Sequence, residues 1–172
     1  LFDAIANAFG LKAGSLTQST DRGPGGEVLA RLWGAQVLLV EDNAFNQQVA
    51  AELLAMAGVE VTLARNGQEA LESVTRHRFD AVLMDLQMPV MDGYEATRRR
   101  REDPAFAALP ILAMTAHAMS QERGRCMALG MNDYLTKPVR VGELKAALER
   151  WVPAPARSPA AAESSDRDTN LQ

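Results

Sequence analysis

Side chains able to handle a phosphoryl group stand at the ends of apolar runs in this chain. Asp85 follows Asp80-Ala81-Val82-Leu83-Met84, and the acidic pair Glu41-Asp42 closes Val37-Leu38-Leu39-Val40. Thr115 closes Ile111-Leu112-Ala113-Met114, and Lys137 follows Tyr134-Leu135-Thr136. If these runs are parallel strands, all five groups meet at one sheet edge, because sites in open α/β sheets lie at the carboxyl ends of the strands. A site of that make-up can phosphorylate its own aspartate.

The elements that must position these groups follow from hydrophobic periodicity. Between Ala35 and Trp151, strand and helix patterns alternate five times. Strands are predicted at Gln36–Val40, Glu60–Ala64, the run to Met84, the run to Met114 and Asp133–Leu135. Helices are predicted at Phe45–Ala57, with Val49, Leu53, Leu54 and Met56 on its apolar stripe, and at Gln68–His77, Tyr94–Arg101, Met119–Leu129 and Val141–Trp151. Gly58 and Gly130 stand where the first and fourth helices stop. Strands alternating with helices imply parallel pairing through right-handed crossovers, and nearly continuous apolar strands imply a sheet covered on both faces.

Composition narrows the function classes. With 172 residues, 47% hydrophobic and 23% charged, the chain supports one good core. A net charge of -4 and a pI near 5.2 disfavour nucleic acid or a general anionic surface as partner. A single cysteine, Cys126, cannot form an intrachain disulfide, and its place on a helix reads as packing. No apolar stretch approaches the roughly 20 residues of a membrane helix, and no signal peptide is evident, so a soluble, cytoplasmic chain is expected. A start at Leu1 suggests an excised piece of something longer.

Outside the alternating zone, Leu1, Phe2, Ile5 and Phe9 are spaced for a short amphipathic helix over 1–10. Residues 11–34, with Gly23-Pro24-Gly25-Gly26 near their middle, read as a linker, and 153–172, rich in Pro, Ala and Ser, as a disordered tail. The domain itself is expected to span 35–152.

Four segments together closely resemble the receiver domain of two-component response regulators: Val37 to Asn43, Val82 to Gly93, Met114-Thr115-Ala116 and Leu135-Thr136-Lys137-Pro138. The resemblance implies a doubly wound, five-stranded parallel sheet in the order 2-1-3-4-5, flanked by five helices. By the same resemblance Asp85 is the phosphoacceptor, attacking the phosphorus of a phosphohistidine. Asp42, Asp85 and the backbone carbonyl of Gln87 would ligate Mg²⁺ or Mn²⁺, with Glu41 acting through water. Lys137 would contact the phosphoryl oxygens, aimed by a cis bond to Pro138; Thr115 and Tyr134 would form the switch, and small Ala116 would admit the donor histidine.

The flanks extend the resemblance. Leu1 to Gly10 is similar to the closing helix of another receiver, which points to a hybrid sensor histidine kinase with tandem receivers. The expected partners are a histidine kinase dimerisation domain and a histidine phosphotransfer (HPt) protein or domain, with no nucleic acid and no direct membrane contact, as a monomer or weak dimer. The receiver's own reactions would be phosphotransfer to Asp85 and autodephosphorylation, ATP chemistry lying in the kinase core outside this sequence. Two rivals stand beside this reading. A pseudo-receiver would act only through protein contacts, yet no acid, Thr or Lys is missing. A haloacid dehalogenase-type phosphatase would need a second Asp two residues after the nucleophile, where Gln87 stands. No glycine-rich phosphate loop supports a nucleotide site.

Remaining polar residues have simpler roles. Asn43 and Asn46 suit the start of a helix, as caps, with shaping of the acidic loop as a second role. His77 and His117 lack spaced partners for metal or catalysis, and the methionines at 84, 88, 91, 114, 119, 127 and 131 suit packing. Arg98 to Arg101 reads as a solvated helix face or an acidic-partner patch, except that Arg100, one turn after Ala96, faces the sheet and must snorkel or pair.

Overall fold

A computed structural model describes residues 32–117 and 120–152. The readings made for 1–31, for Ala118 and Met119 and for 153–172 lie outside the described residues. The elements are β1 (Gln36–Val40), α1 (Ala44–Met56), β2 (Glu60–Ala64), α2 (Gly67–Arg76), β3 (Ala81–Asp85), α3 (Gly93–Arg101), a 3₁₀ turn (Pro104–Phe106), β4 (Ile111–Thr115), α4 (Ser120–Ala128), β5 (Asp133–Thr136) and α5 (Val141–Trp151). All five strands pair in parallel, in the order β2-β1-β3-β4-β5, as expected.

Alternation along each strand splits the core in two. Val37, Leu39, Leu83, Leu112 and Met114 face Leu54 of α1 and Leu144 and Leu148 of α5. Leu38, Val40, Val82, Met84 and Ala113 face Ala70 and Val74 of α2, Ala96 of α3 and Cys126 of α4. Because β1, β3 and β4 are packed on both sides, their polar residues can only sit at the ends, which is where Glu41, Asp85 and Thr115 fall. The register aligns those ends: Val40 pairs with Met84, Asp85 with Met114 and Thr115 with Thr136.

Helix starts are capped by side chains from the preceding loops. Asn43 Oδ1 accepts from the Phe45 and Asn46 amides at 3.0 and 3.2 Å, and Asp92 Oδ1 from the Glu95 amide at 2.8 Å. Gly93 admits a close approach: a Cβ there would collide with the Asp85 carbonyl. Between Asp85 and α3 the chain makes a γ-turn, in which the Met91 amide donates to Pro89 O at 2.8 Å across Val90, whose φ is 69°. A β-branched residue in that region is strained.

Several expectations require correction. Leu32 to Gly34, read as linker, belong to the domain: Leu32 is buried in the core and the Gly34 amide donates to Gly58 O at 2.7 Å. On α1 the inward line is Gln47, Ala50 and Leu54, whereas Val49 and Met56, expected on the apolar stripe, are exposed. At about 100° per residue they lie with Phe45 on one flank, roughly 130–170° round from that line and so nearly opposite it. Met127 is exposed as well, while Met84, Met91, Met114 and Met131 are buried. Asn46 does not cap α1; its side chain is engaged at the acidic loop.

The arginine run is neither one solvated face nor one patch. Arg98 and Arg99 pair with Glu95 on α3 at 2.9 and 2.6 Å, and Arg98 also with Glu102 at 2.5 Å. Arg101 turns inward, donating to the carbonyls of Gly130, Phe106, Ala107 and Leu109 and to Asn132 Oδ1. Arg100 is buried with its guanidinium over the Phe106 ring; its Nε has no partner among the described residues. Burial pulls the Arg100 guanidinium down to about 10, and no carboxylate bonds to it. Arg100→Ile is therefore expected to stabilise the domain by about 1 kcal/mol, the relief of an unpaired buried donor outweighing the lost cation–π contact and the long 3.4 Å bond from the guanidinium to Val74 O. Thermal denaturation checks this; an unchanged or lower midpoint refutes it.

Candidate functional site

At the carboxyl edge of the sheet, Asp85 lies at the centre of the predicted group. It is 3% exposed; Oδ1 accepts from the Gln87 amide at 3.0 Å and Oδ2 from Lys137 Nζ at 2.6 Å. The same ammonium reaches Glu41 Oε2 at 2.7 Å, so one cation bridges two buried carboxylates from different strands. Asp42 is exposed beside them, and Glu41, Asp42 and Asp85 can each place a carboxylate oxygen within 4.8 Å of the others. The Lys137–Pro138 bond is cis, as expected.

Charge at this edge is unbalanced. Three carboxylates face one ammonium, and burial raises the Asp85 carboxyl from its ordinary value against the opposing pull of Lys137 and the Gln87 amide. Burial alone would lower the Lys137 ammonium, but its hydrogen bonds to Asp85 and Glu41 outweigh that and raise it. Such an oxygen-rich, net-negative cluster suits a hard divalent cation that retains some of its water. Asp42 makes no hydrogen bond or ion pair among the described residues, so its oxygens are available to such an ion.

Supporting contacts hold the acidic loop. Glu41 Oε1 accepts from the Asn43 amide and from Asn46 Nδ2, both at 3.2 Å, and Gln47 Nε2 donates to the Glu41 carbonyl at 2.5 Å. Asn46 thus fills its second expected role, shaping the loop. Gln47 was missed by sequence reading, although a glutamine in the first turn of a helix that begins beside the acids is the available signal.

Thr115 is 3% exposed and closes β4. Its Oγ1 donates toward Glu122 Oε2 at 3.0 Å and accepts from the His117 amide at 3.0 Å. Glu122, not foreseen from sequence, also accepts from the Tyr94 hydroxyl at 2.9 Å. Tyr134 is half-buried against the core cluster of α2, α3 and α4, with the Arg123 guanidinium 5.3 Å above its ring. Ala116 is exposed next to Thr115, as are His117 and Gln87. His77 ends α2 with its ring edge-on to Phe79, away from any acidic cluster among the described residues.

An open parallel α/β sheet with an acidic, lysine-bridged carboxylate at its carboxyl edge defines a cation-assisted phosphoryl-accepting domain. The family profile of the response regulator receiver domain matches residues 37–149, and the chain belongs to that family. It is 41% identical over 128 residues to the sensor protein GacS of Pseudomonas syringae pv. syringae, a match covering 73% of this chain and 14% of GacS. It is 36% identical over 121 residues to hybrid signal transduction histidine kinase K of Dictyostelium discoideum, covering 66% of this chain and 10% of that protein. The chain thus spans a small part of the curated relatives it matches. Among solved structures, the receiver domain of sensor histidine kinase PA1611 from Pseudomonas aeruginosa PAO1, with a magnesium ion in its active-site cleft, matches at TM-score 0.64 and 47% identity, over 69% of this chain and 97% of that one. The receiver of Ssk1 bound to the histidine phosphotransfer protein Ypd1 of Saccharomyces cerevisiae matches at TM-score 0.66 and 31% identity, over 70% and 90%. This chain is accordingly a receiver domain of the two-component phosphorelay.

Proposed function

We propose that this receiver accepts a phosphoryl group on Asp85 from a phosphohistidine and passes it on to an HPt protein or domain, as part of a hybrid sensor histidine kinase in the cytoplasm. The observation that carries it is the Lys137 ammonium held at 2.6 Å from Asp85 and 2.7 Å from Glu41. An Asp85 oxygen attacks phosphorus, the P–N bond of the donor breaks, and its electron pair returns to the imidazole. Lys137 neutralises charge on the phosphoryl oxygens, and Thr115 donates its hydroxyl to one of them. Asp42, Asp85 and the Gln87 carbonyl would hold Mg²⁺, or Mn²⁺ in its place, with Glu41 acting through water, and the bound ion would supply further neutralisation of the transferring group. Small, exposed Ala116 leaves the approach open, and Tyr134 reports the movement of Thr115 to the β4–β5 face.

The partner surface follows from α1. Phe45, Val49 and Met56 are 73%, 42% and 42% exposed on one flank, and Phe45 directly follows the acidic loop. This apolar stripe suits the helices of an HPt protein or of a kinase dimerisation domain.

Incubation with acetyl phosphate and Mg²⁺, followed by intact mass, tests the assignment. Wild type is expected to gain one phosphoryl group and Asp85→Asn none. No gain in wild type, or an equal gain in the variant, would overturn Asp85 as the acceptor.

A further inference from the structure

Thr115 has one hydroxyl proton, and the nearer of the two acceptors within its reach is a carboxylate. Glu122 Oε2 lies 3.0 Å from Thr115 Oγ1, whereas the alternative acceptor, His117 O, lies 3.2 Å away. A charged acceptor makes the stronger bond. Glu122 is itself held: its other oxygen accepts from Tyr94 OH at 2.9 Å, and the Arg125 guanidinium lies 3.9 Å above the Tyr94 ring. Tyr94 sits in the first turn of α3, Glu122 and Arg125 on α4. One carboxylate therefore ties the end of β4 to two helices on the same side of the sheet.

We propose that Glu122 is a latch on the Thr115 hydroxyl, holding the receiver in its unphosphorylated arrangement until a phosphoryl group on Asp85 competes for that proton. The inference rests on the phosphoacceptor reading above. A hydroxyl cannot donate to both anions, so engagement of the phosphoryl oxygen breaks the Thr115–Glu122 bond and frees α4 from the strand end. Glu122 is thus a positioning residue. It touches no reacting atom, and it sets how readily the phosphorylated arrangement forms.

The test titrates beryllium fluoride, with Mg²⁺ present, into the full chain while following the amide resonances of Asp85 and Gln87. Glu122→Gln and Glu122→Ala are expected to half-saturate at about tenfold lower concentration than wild type, the scale of one charge-assisted hydrogen bond. That gain is expected to vanish when either is combined with Thr115→Val, an outcome that a merely structural role on α4 would not produce. Equal half-saturation in wild type and both Glu122 variants, or a gain that survives in the Thr115→Val background, overturns the latch and leaves the acceptor assignment standing. Failure of wild type to bind beryllium fluoride overturns the acceptor reading and the latch with it.

Discussion

Lys137→Met is expected to slow phosphorylation of Asp85 by about a hundredfold or more and to cost about 2 kcal/mol of stability. Both effects have one source. The ammonium is shared by Asp85 and Glu41, which expose only 5% and 3% of their side chains, so its loss leaves two buried carboxylates facing each other. The kinetic part is read from the rate of mass gain with acetyl phosphate, and the stability part from denaturant titration. Added Mg²⁺ is expected to recover more stability in Lys137→Met than in wild type, since a bound dication replaces the missing charge and stabilises by mass action. Asp85→Asn in the Lys137→Met background is expected to restore most of the loss by removing one of the two charges. A Lys137→Met protein as stable and as fast as wild type would refute the role assigned to the bridge.

The second large effect is expected at Arg101, far from any chemistry. Its guanidinium donates to four backbone carbonyls, at 2.8 to 3.1 Å, and to Asn132 Oδ1 at 3.0 Å. Asn132 Oδ1 in turn accepts from the Ile111 amide at 3.0 Å, so the side chain knits the end of α3 to the 3₁₀ turn, the start of β4 and the loop before β5. Arg101→Met keeps much of the aliphatic stem and removes every donor; about 3 kcal/mol of destabilisation is expected. Arg101→Lys should recover little, because a single ammonium cannot span acceptors on opposite sides of a planar fork. Chemical denaturation of both variants checks this, and a loss below about 1 kcal/mol in Arg101→Met would mean that water satisfies those carbonyls.

The contrast between Arg100 and Arg101 shows where sequence reading stops. In sequence the two are adjacent members of a run of four, and only helical phase marked Arg100 as inward-facing. The phase was right for Arg100, yet gave no notice that a 3₁₀ turn at Pro104–Phe106 would bring an aromatic ring over it. For Arg101 even phase was silent, since its five acceptors come from segments up to 31 residues away. Glu122 illustrates the same limit: seven residues from Thr115 in the chain, it meets the hydroxyl only because α4 returns across the edge of β4.

By itself the sequence determined the order of elements, the parallel pairing and the gathering of Glu41, Asp42, Asp85, Thr115 and Lys137 at one edge. These follow from local rules: strand runs buried on both faces leave polar groups nowhere to go but the ends, and parallel pairing brings those ends together. Only the tertiary structure decided which flank of α1 stays apolar and exposed, that Asn46 and Gln47 hold the acidic loop, and that Glu122 comes within hydrogen-bond reach of the Thr115 hydroxyl. Those outcomes depend on the packing of each helix against the sheet, where rotations of a few tens of degrees change a side chain's partner while leaving hydrophobic periodicity almost the same.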